Sequence, residues 1–335
     1  MPITITDVAR EASVSRATVS RVISSKSNTS EDVRSRVFAA IEKLGYQPNL
    51  VARSLRVRQS KIIGLIISDI QNPFYTGLVR AVEDTAYKNN FRIFLCNSDE
   101  DIAKEILYIK LMVAEKVAGV VITPTQERNN PSRILLDAGV PVVAVDRSIL
   151  DLEVDSVVID NFRLAFELVD HLICDGHQRV AIVSGTSTST TSRERLEGYQ
   201  QALRQHGLPM EPALIRQGLP KEEFGYRAAR ELLELEQPPD ALFLLNNLLT
   251  LGALRAIFEK KLRIPDDIAL VAFDDISWTS FVNPPLTVAT QPTYELGRKA
   301  TQLLINRIKD PALATERYVV DASIFIRKSC ANHSS

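Results

Sequence analysis

The side chains best suited to chemistry in this chain stand directly after short apolar runs. Such runs, rich in β-branched residues, are typical of strands that are buried on both faces of a parallel sheet. Ligands of these sheets collect at the carboxyl ends of the strands, so we expect a polar binding cleft there. The candidates that this rule selects are Asp69, Phe74, Tyr75, Asp146, Arg147, Asp160, Asn246, Asn247 and Asp274.

No motif for enzymatic chemistry accompanies these residues. The sequence has no glycine-rich nucleotide loop and no G-x-S-x-G elbow, and its four histidines lack ligand spacing. Adjacent carboxylates at Asp274 and Asp275 would face opposite ways on a strand. The three cysteines, Cys96, Cys174 and Cys330, share no metal-type spacing, which argues against a disulfide framework or a zinc site. We therefore expect no catalytic site, no metal and no cofactor.

Apolar runs that alternate with helical periods predict two α/β lobes. The predicted strands of the first lobe are Ile62 to Ile67, Phe91 to Cys96, Gly119 to Ile122, Val142 to Val145 and Val157 to Ile159. The series starts again with Val180 to Val183, Ala241 to Leu245 and Ile268 to Phe273. Helical spacing of apolar residues between these runs predicts helices, as in the stretches 196–206 and 225–235.

Length and composition bound the class of protein. A chain of 335 residues is longer than one hydrophobic core usually organises, which predicts two or three domains. Its 45% hydrophobic and 24% charged residues are ordinary for a globular protein. The N-terminal residues lack the features of a secretory signal, and no apolar stretch is long enough to cross a bilayer. We therefore expect a cytoplasmic protein with no membrane partner.

The net charge of −1 hides a basic N-terminal end. Residues 1–60 contain ten Lys and Arg against five Asp and Glu, a balance of +5, so the remainder of the chain carries −6. A basic head on an acidic body suits a protein that binds a polyanion through one end, because neutralised phosphates release their condensed counterions. A basic face that is only solvated is the alternative interpretation of the charge.

Caps and apolar periods predict three short helices in this basic end. Thr6 is a suitable N-cap for a first helix that runs to about Ala12, and Ser15 is one for a second helix. A third helix begins at Ser30 and stops at Gly45. Two short helices joined by a tight turn and supported by a third form a helix-turn-helix, whose second helix can enter the DNA major groove. Three helices that only pack together are the alternative.

Two stretches of the basic end follow one known pattern. They are ITDVAREASVSRATVSRVIS, from Ile5, and SEDVRSRVFAAIEKLGYQPNLVARSLR, from Ser30. Both closely resemble the DNA-binding head of the lactose/galactose repressor (LacI/GalR) family of bacterial transcription regulators. The resemblance implies that bases are read by Arg16, Ala17 and Arg21. It implies phosphate-contacting or positioning roles for Thr6, Ser15, Thr18, Ser20 and Tyr46.

The next segment, residues 48–55, has helix propensity but is too short to be stable alone in water. In the resembling family it is a hinge helix that folds against its dimer mate on the DNA minor groove, where a leucine at the position of Leu55 wedges between base steps. The implied DNA contacts in this segment are Asn49, Ala52, Arg53, Leu55 and Arg56. A plain linker is the alternative.

Landmarks in the body extend the resemblance to about residues 5–327. They include Asn72-Pro73-Phe74-Tyr75, Val158-Ile159-Asp160-Asn161, Arg195-Leu196-Glu197-Gly198-Tyr199, Phe273-Asp274-Asp275 and Gln291-Pro292. They imply the α/β, two-lobed periplasmic-binding-protein-like fold with parallel sheets, in which the chain crosses between lobes near 160, 290 and 320. The implied domains are the head at 1–47, the hinge helix and linker at 48–61, the N-terminal lobe at 62–160 and 292–320, the C-terminal lobe at 161–291 and 321–327, and a tail at 328–335.

The same resemblance implies a sugar or sugar-acid effector between the lobes. Its contacts would come from Phe74, Tyr75, Asp146, Asp160, Arg193, Arg195, Asn246, Asp274 and Gln291. A carboxylate set against vicinal hydroxyls, a planar arginine and an aromatic face are what a sugar requires, and Arg193 beside Arg195 offers a second cation to a carboxylated sugar. The alternative for Asp274 and Arg195 is that they bridge the lobes or cap helices.

The expected protein is therefore a sequence-specific DNA-binding repressor of carbohydrate catabolism genes. We expect a homodimer on a pseudo-palindromic operator, because one recognition helix covers too few base pairs. The sequence lacks the motifs that an enzyme would need, and the basic head does not suit a transport binding protein. Family departures at Ser24, Ser27, Pro220 and Asn247 leave open the operator, the effector and whether the effector releases or promotes DNA binding.

Overall fold

A computed structural model describes residues 3–23, 29–46 and 60–330 of the chain. The chain divides into two compact units, residues 1–60 and 61–335, which we call the head and the body. The hinge residues Asn49, Ala52, Arg53, Leu55 and Arg56 lie outside the described residues, so their DNA contacts stay predictions. Among the helices of the described residues, none is long and apolar enough to cross a membrane.

The described residues of the head form three helices, in the regions where the sequence predicts them. They are α1 (Ile5–Glu11), α2 (Arg16–Ile23) and α3 (Glu31–Leu44). Their apolar faces meet in a small core that buries Val8, Val19, Val22, Val37 and Ala40. Gly45 ends α3 with a φ of 61°, a left-handed conformation that glycine adopts without steric cost. The arrangement is a helix-turn-helix supported by a third helix.

The predicted cap of α1 is corrected by the structure. The helix begins after Thr4, whose backbone N–H (2.9 Å) and hydroxyl (2.6 Å) both donate to the Asp7 carboxylate. Thr6 is therefore a first-turn residue, because an acid three positions after the cap completes this reciprocal arrangement. The cap of α2 is confirmed, since the Ser15 hydroxyl accepts a 3.1 Å hydrogen bond from the Thr18 N–H.

Twelve strands lie within residues 60–330, the part of the body that the structure describes. In chain order they are β1 (Ile62–Ile67), β2 (Arg92–Asn97), β3 (Gly119–Ile122), β4 (Val142–Val145), β5 (Asp155–Val158), β6 (Val180–Ser184), β7 (Ile215–Gln217), β8 (Ala241–Leu244), β9 (Ala269–Phe273), β10 (Thr287–Thr290), β11 (Arg317–Val319) and β12 (Ser323–Phe325). Sheet 1 has the order β11-β5-β4-β3-β1-β2, and sheet 2 has the order β12-β10-β9-β8-β6-β7. All pairs in sheet 1 are parallel, and in sheet 2 β12 runs antiparallel to β10.

Helices cover both sheets, which explains why the inner strands are apolar throughout. The helices are α4 (Phe74–Lys88), α5 (Ile102–Ala114), α6 (Arg133–Asp137), α7 (Asn161–Cys174), α8 (Thr190–Gln205), α9 (Glu222–Leu233), α10 (Asn247–Glu259) and α11 (Thr293–Lys309). Every residue of β3, β4, β6, β8 and β9 is buried. The sequence-based interpretation of these runs as two-sided parallel strands is confirmed.

We call sheet 1 with α4, α5, α6 and α11 the first lobe, and sheet 2 with α7 to α10 the second lobe. The chain passes between the lobes after β5, β10 and β11, the three regions where crossings are expected. Ser329 and Cys330, assigned to a tail from the sequence, are buried instead. The Ser329 hydroxyl donates to the Leu270 carbonyl at 2.6 Å, and the Leu270 N–H donates to the Ser329 carbonyl at 2.8 Å.

Helices α9 and α10 approach each other closely at Gly252. A Cβ atom at this position would overlap the backbone of Glu222, which no side-chain rotation can relieve. We expect Gly252→Ala to lower the free energy of unfolding by about 1–3 kcal/mol, because the two helices must move apart. Urea unfolding followed by circular dichroism measures this change. Arg227→Ala, on the exposed face of α9, is the matched control and should stay within about 0.5 kcal/mol. An unchanged midpoint for Gly252→Ala would contradict the close approach.

Candidate functional site

The polar strand ends meet in one cleft between the two lobes. The first lobe contributes Ser68, Asp69, Asn72, Phe74, Tyr75, Glu100, Asp146 and Arg147. The second lobe and the crossing after β10 contribute Gly185, Thr191, Ser192, Arg195, Pro220, Leu245, Asn246, Leu249, Asp274 and Gln291. This is the location that the strand-end rule for parallel sheets predicts.

Strand register explains why these side chains converge. In sheet 2, Val183, Leu244 and Ala272 stand opposite one another on β6, β8 and β9. The lining residues Gly185, Asn246 and Asp274 each lie two positions further along their chains. Sheet 1 repeats this arrangement, since Ile66, Ile122 and Ala144 are aligned, and Ser68 and Asp146 lie two positions after the first and the last of them. The alignment of the strands in each sheet therefore places the polar residues that line the cleft on that side.

Two buried carboxylates, Asp146 after β4 and Asp274 after β9, face each other's lobe in this cleft. Their φ angles of 70° and 76° lie in the left-handed region, which aspartate tolerates better than most residues and which turns the chain at the strand end. The Tyr75 hydroxyl donates to Asp146 at 3.4 Å. Asp274 accepts hydrogen bonds from Gln291 Nε2 at 2.6 Å and from the Asn247 N–H at 3.3 Å.

Burial raises the pKa of both carboxyl groups. Desolvation raises the pKa of Asp146 to about 6 and outweighs the nearby guanidinium groups of Arg147 and Arg195. Desolvation also raises the pKa of Asp274, against the opposing effects of Arg195 and of the Gln291 hydrogen bond. Acids perturbed in this way within a cleft are typical of functional sites.

Arg195 is held rigidly beside these carboxylates. It donates from Nε to Asn161 Oδ1 at 2.8 Å and from Nη1 to the Leu245 carbonyl at 2.5 Å. Its guanidinium carbon lies 3.7 Å from the centroid of the Phe273 ring, a cation–π contact. Its Nη2 makes no hydrogen bond to any residue that the structure describes, so this nitrogen remains a donor for a ligand.

Arg147 is neutralised by a bidentate pair with Glu100, with Nη2–Oε1 and Nη1–Oε2 distances of 2.6 and 2.9 Å. Burial alone would raise the pKa of Glu100, but this guanidinium holds it below its usual value. Two lining atoms, Arg147 Nε and Gln291 Oε1, are buried and make no hydrogen bond within the described part of the chain. Because buried polar atoms are ordinarily paired, such atoms in a cleft indicate a ligand or water site.

Aromatic residues form one wall of the cleft. The rings of Phe74 and Tyr75, at the start of α4, meet edge to face with centroids 5.0 Å apart and planes at 88°. The Tyr75 hydroxyl is 2.7 Å from the Ser68 hydroxyl, which fixes its position. This wall can pack against an apolar face of a ligand while the carboxylates accept its hydroxyl groups.

Polar contacts join the two lobes around the cleft. Lys221 of the second lobe lies 2.7 Å from Asp69 Oδ2 and 2.5 Å from Asp99 Oδ1 of the first lobe. Asn247 donates to Asn72 Oδ1 at 3.0 Å across the same gap. A change in the angle between the lobes must therefore break or rearrange charged and amide contacts.

Two residues expected to contact an effector have other partners. Arg193 pairs with Glu127 of the first lobe at 3.1 Å and with Glu197 of its own helix at 3.0 Å, and it does not line the cleft. Asp160 caps α7 by accepting a hydrogen bond from the Arg163 N–H at 3.0 Å, also away from the cleft. Bridging and capping, the alternatives considered for Arg195 and Asp274, are thus the roles of these two residues.

Sequence reasoning missed several lining residues. Ser68 directly follows β1, and Asn72 and Glu100 follow β1 and β2 by a few positions, so the strand-end rule would have found all three if it had been applied to every polar residue after each strand. Thr191 and Ser192 belong to a hydroxyl-rich stretch that the sequence shows clearly. The Arg147–Glu100 pair has no local signal, because its partners are far apart in the sequence.

The head presents a basic helix surface. Arg16, Ala17 and Arg21 of α2 are exposed, whereas Val19 and Val22 on its other face are buried. This is the orientation that a recognition helix requires. Of the predicted positioning residues, Thr6 and Ser15 are exposed, and Thr18, Ser20 and Tyr46 are half-buried. Tyr46 packs against the head core, which gives it a structural role as well.

A helix-turn-helix head attached to a two-lobed binding body defines a class of ligand-responsive transcription regulators. A family model described as "Bacterial regulatory proteins, lacI family" matches residues 4–49. A second, described as "Periplasmic binding proteins and sugar binding domain of LacI family", matches residues 60–329. The chain belongs to the LacI family of bacterial regulatory proteins.

Individual relatives agree over almost the whole chain. The HTH-type transcriptional repressor CytR of Escherichia coli K12 is 32% identical, with 97% of this chain and 96% of that protein covered. The lac repressor dimer bound to operator and the anti-inducer ONPF is 27% identical, covers 99% of this chain and all of that chain, and has a TM-score of 0.86. The transcriptional regulator CelR–cellobiose complex is 32% identical, covers 98% and 99% of the two chains, and has a TM-score of 0.74.

The raised pKa of Asp146 predicts a pH-dependent stability. The folded value of about 6 lies above the reference value of 3.8, so the folded chain keeps a proton that the unfolded chain has lost, and this contribution to stability is lost as the pH rises through that interval. Asp146→Asn carries no charge, so we expect it to gain stability over the parent near pH 7 and not below about pH 4. Urea unfolding at both pH values measures the difference.

The matched control for this variant is Asp275→Asn. Although burial acts to raise it, the pKa of Asp275 is lowered by Arg327, so this variant should lose stability near pH 7. If Asp146→Asn behaved like Asp275→Asn, the buried charge at Asp146 would be stabilising and our account of the cleft would be wrong.

Proposed function

We propose that this chain is a transcriptional repressor that binds a pseudo-palindromic operator as a homodimer and responds to a neutral, polyhydroxylated effector in the cleft. The observation that carries the proposal is the set of donor and acceptor groups between the lobes: the buried atoms Arg147 Nε and Gln291 Oε1, the guanidinium of Arg195 and the two carboxylates. Vicinal hydroxyls both donate and accept, so they complement this mixture.

The charges of the cleft favour a neutral sugar over a sugar acid. Four lining residues are acidic (Asp69, Glu100, Asp146 and Asp274) and two are arginines (Arg147 and Arg195). Glu100 neutralises Arg147 and Lys221 neutralises Asp69, which leaves Asp146 and Asp274 against Arg195. Arg193, the second cation expected for a carboxylated ligand, pairs with Glu127 and Glu197. A ligand carboxylate would therefore meet excess negative charge in a desolvated site, which is unfavourable. The cellobiose complex of CelR supports the carbohydrate class.

The arrangement of the site supports allosteric control. Asp146 and Tyr75 come from the first lobe, whereas Asp274 and Arg195 come from the second, so a ligand that contacts all four binds one lobe angle better than others. A ligand shifts an equilibrium only by such differential affinity, typically about 1–3 kcal/mol in allosteric coupling. The ion pairs of Lys221 with Asp69 and Asp99 join the two lobes, so a change in the lobe angle also changes their distances.

Dimerisation follows from the size of the recognition surface. A helix of eight residues contacts only a few base pairs, and two-fold pairing doubles the site. The lac repressor, similar to this chain over 99% of its length, is described as a dimer on operator. A symmetric dimer would then place two α2 helices on two half-sites, which is the reason for expecting a pseudo-palindrome.

Arg21→Ala tests the recognition helix. We expect it to relax discrimination at one base pair of each half-site by about 1–3 kcal/mol, because a bidentate arginine–guanine contact is lost. Competition binding with single-base operator variants at constant salt measures this. Arg34→Ala removes one exposed positive charge from α3, away from the predicted base-reading residues, and should change the affinity for all sequences to the same extent, so it is the matched charge control. If Arg21→Ala also weakened all sequences equally, Arg21 would contact phosphate.

Asp274→Asn tests the effector site with a nearly isosteric change. Calorimetry against a panel of neutral mono- and disaccharides identifies a ligand for the parent chain, and the variant should bind it with a free energy about 1.5–3 kcal/mol less favourable, because a charge-assisted hydrogen bond is lost. Operator affinity without ligand should be unchanged. Arg193→Ala, outside the cleft, should keep parental effector affinity. Parental affinity in Asp274→Asn, or preferential binding of uronic acids by the parent, would refute the assignment.

A further inference from the structure

A cluster of metal-binding side chains lies on the second lobe, apart from the cleft. Asp170 and Cys174 belong to α7, and His206 directly follows α8. One carboxylate oxygen, the thiol sulfur and one imidazole nitrogen all lie within 4.8 Å of one another. His206 Nε2 is 2.7 Å from Asp170 Oδ1, and Cys174 Sγ is 4.0 Å from Asp170 Oδ2.

Helix geometry accounts for this convergence. Residues four positions apart lie on the same helix face, so Asp170 and Cys174 project together from α7. Helices α7 and α8 pack side by side over a long contact, anchored by the backbone approach of Phe162 to Gly198. This packing brings the end of α8, and with it His206, beside that face. The ligands are dispersed in the sequence, so spacing rules for zinc motifs do not reveal them.

We propose that Asp170, Cys174 and His206 form a binding site for a divalent transition metal of the zinc class, with water as the fourth ligand. A thiolate, an imidazole and a carboxylate are all ligands that Zn²⁺ prefers. Tetrahedral coordination with bonds of about 2.0–2.3 Å places ligand atoms about 3.3–3.7 Å apart. Metal binding would therefore lengthen the 2.7 Å distance from His206 Nε2 to Asp170 Oδ1 and shorten the 4.0 Å distance from Cys174 Sγ to Asp170 Oδ2, each by roughly half an ångström.

Accessibility favours occupation of this site. The side chains of Asp170 and His206 are 32% and 27% exposed, and Cys174 is exposed as well, so small rotations can adjust the ligand distances. Binding replaces the S–H bond of Cys174 by a sulfur–metal bond and releases one proton to solvent. The same opening admits the water that completes the tetrahedron.

A neighbouring set of residues provides a stringent comparison. His171, Asp175 and Cys330 also place ligand atoms within 4.8 Å of one another. Cys330, however, is fully buried, and its sulfur lies 3.0 Å from the Thr287 hydroxyl. Burial raises the pKa of the Cys330 thiol, so forming its thiolate is less favourable. The metal is therefore assigned to the more accessible set.

Cobalt spectroscopy on the full-length, tag-free and chelator-treated chain tests the site. We expect one equivalent of Co²⁺ to give a thiolate-to-cobalt charge-transfer band and the visible bands of tetrahedral cobalt, both removed by stoichiometric Zn²⁺. The charge-transfer band should be lost in Cys174→Ser and kept in Cys330→Ser. His206→Ala and Asp170→Asn should weaken zinc binding by more than about 10-fold, because loss of a direct ligand exceeds the effect of a supporting residue.

Thermal unfolding shows that each variant is folded and reports zinc binding by a second measurement. Zinc should raise the midpoint of the parent and of Cys330→Ser, but not that of Cys174→Ser, because a ligand that binds only the folded state stabilises it. Absence of a charge-transfer band in the parent overturns the proposal. Loss of the band in Cys330→Ser overturns it as well, whether or not Cys174→Ser retains it, because the metal would then need the buried set.

Discussion

The alignment of parallel strands is the constraint on which the body depends. Because side chains alternate with a period of two, a one-residue slip of β9 against β8 would carry Asp274 away from the cleft and turn the apolar residues of β9 toward the wrong layer. The burial of Phe273 and of every other residue in β9 makes such a slip costly. Apolar packing, which has no chemical selectivity of its own, thus determines where the polar groups stand.

The cleft brings several buried charged groups together. Asp146 and Asp274 are buried without a bidentate partner, in contrast to Glu100, which has one in Arg147. Burial of these two carboxylates lowers stability at neutral pH, and the large apolar core around the sheets compensates for it. A ligand that supplies hydrogen-bond donors to these groups recovers part of this desolvation energy, which makes binding and stability interdependent.

Sequence patterns predict the strands and helices better than they predict which side chains contact one another. Strands such as β3 and β4 match their predicted bounds because their β-branched residues need a two-sided buried environment. Helix α1 begins after Thr4 and not after the predicted Thr6, because both threonines are chemically suitable caps and only the position of Asp7 decides between them.

The residues of the candidate site show the same difference between what a local pattern predicts and what it does not. Asp146, Asn246 and Asp274 follow directly from strand ends and line the cleft. Arg193 and Asp160 have the right chemistry and nearly the right position, but both have other partners. Arg193 pairs with Glu127, a tertiary contact that no local pattern predicts, whereas Asp160 caps α7 through the Arg163 N–H, a role that its place directly before a helix could have indicated. The metal-binding set shows the converse, because α7 and α8 assemble ligands from 36 positions apart in the chain, between Asp170 and His206.

The edges of the two sheets bear on how the protein behaves at high concentration. An open edge strand offers unpaired backbone groups to any other chain, and short, charged edges discourage such pairing. Three of the four edges, β7, β11 and β12, have only three residues each, and Arg216 in β7 is held by Glu231. Overexpressed or concentrated protein should accordingly resist strand-to-strand aggregation along these three edges, which leaves β2 as the longest exposed template among the described strands.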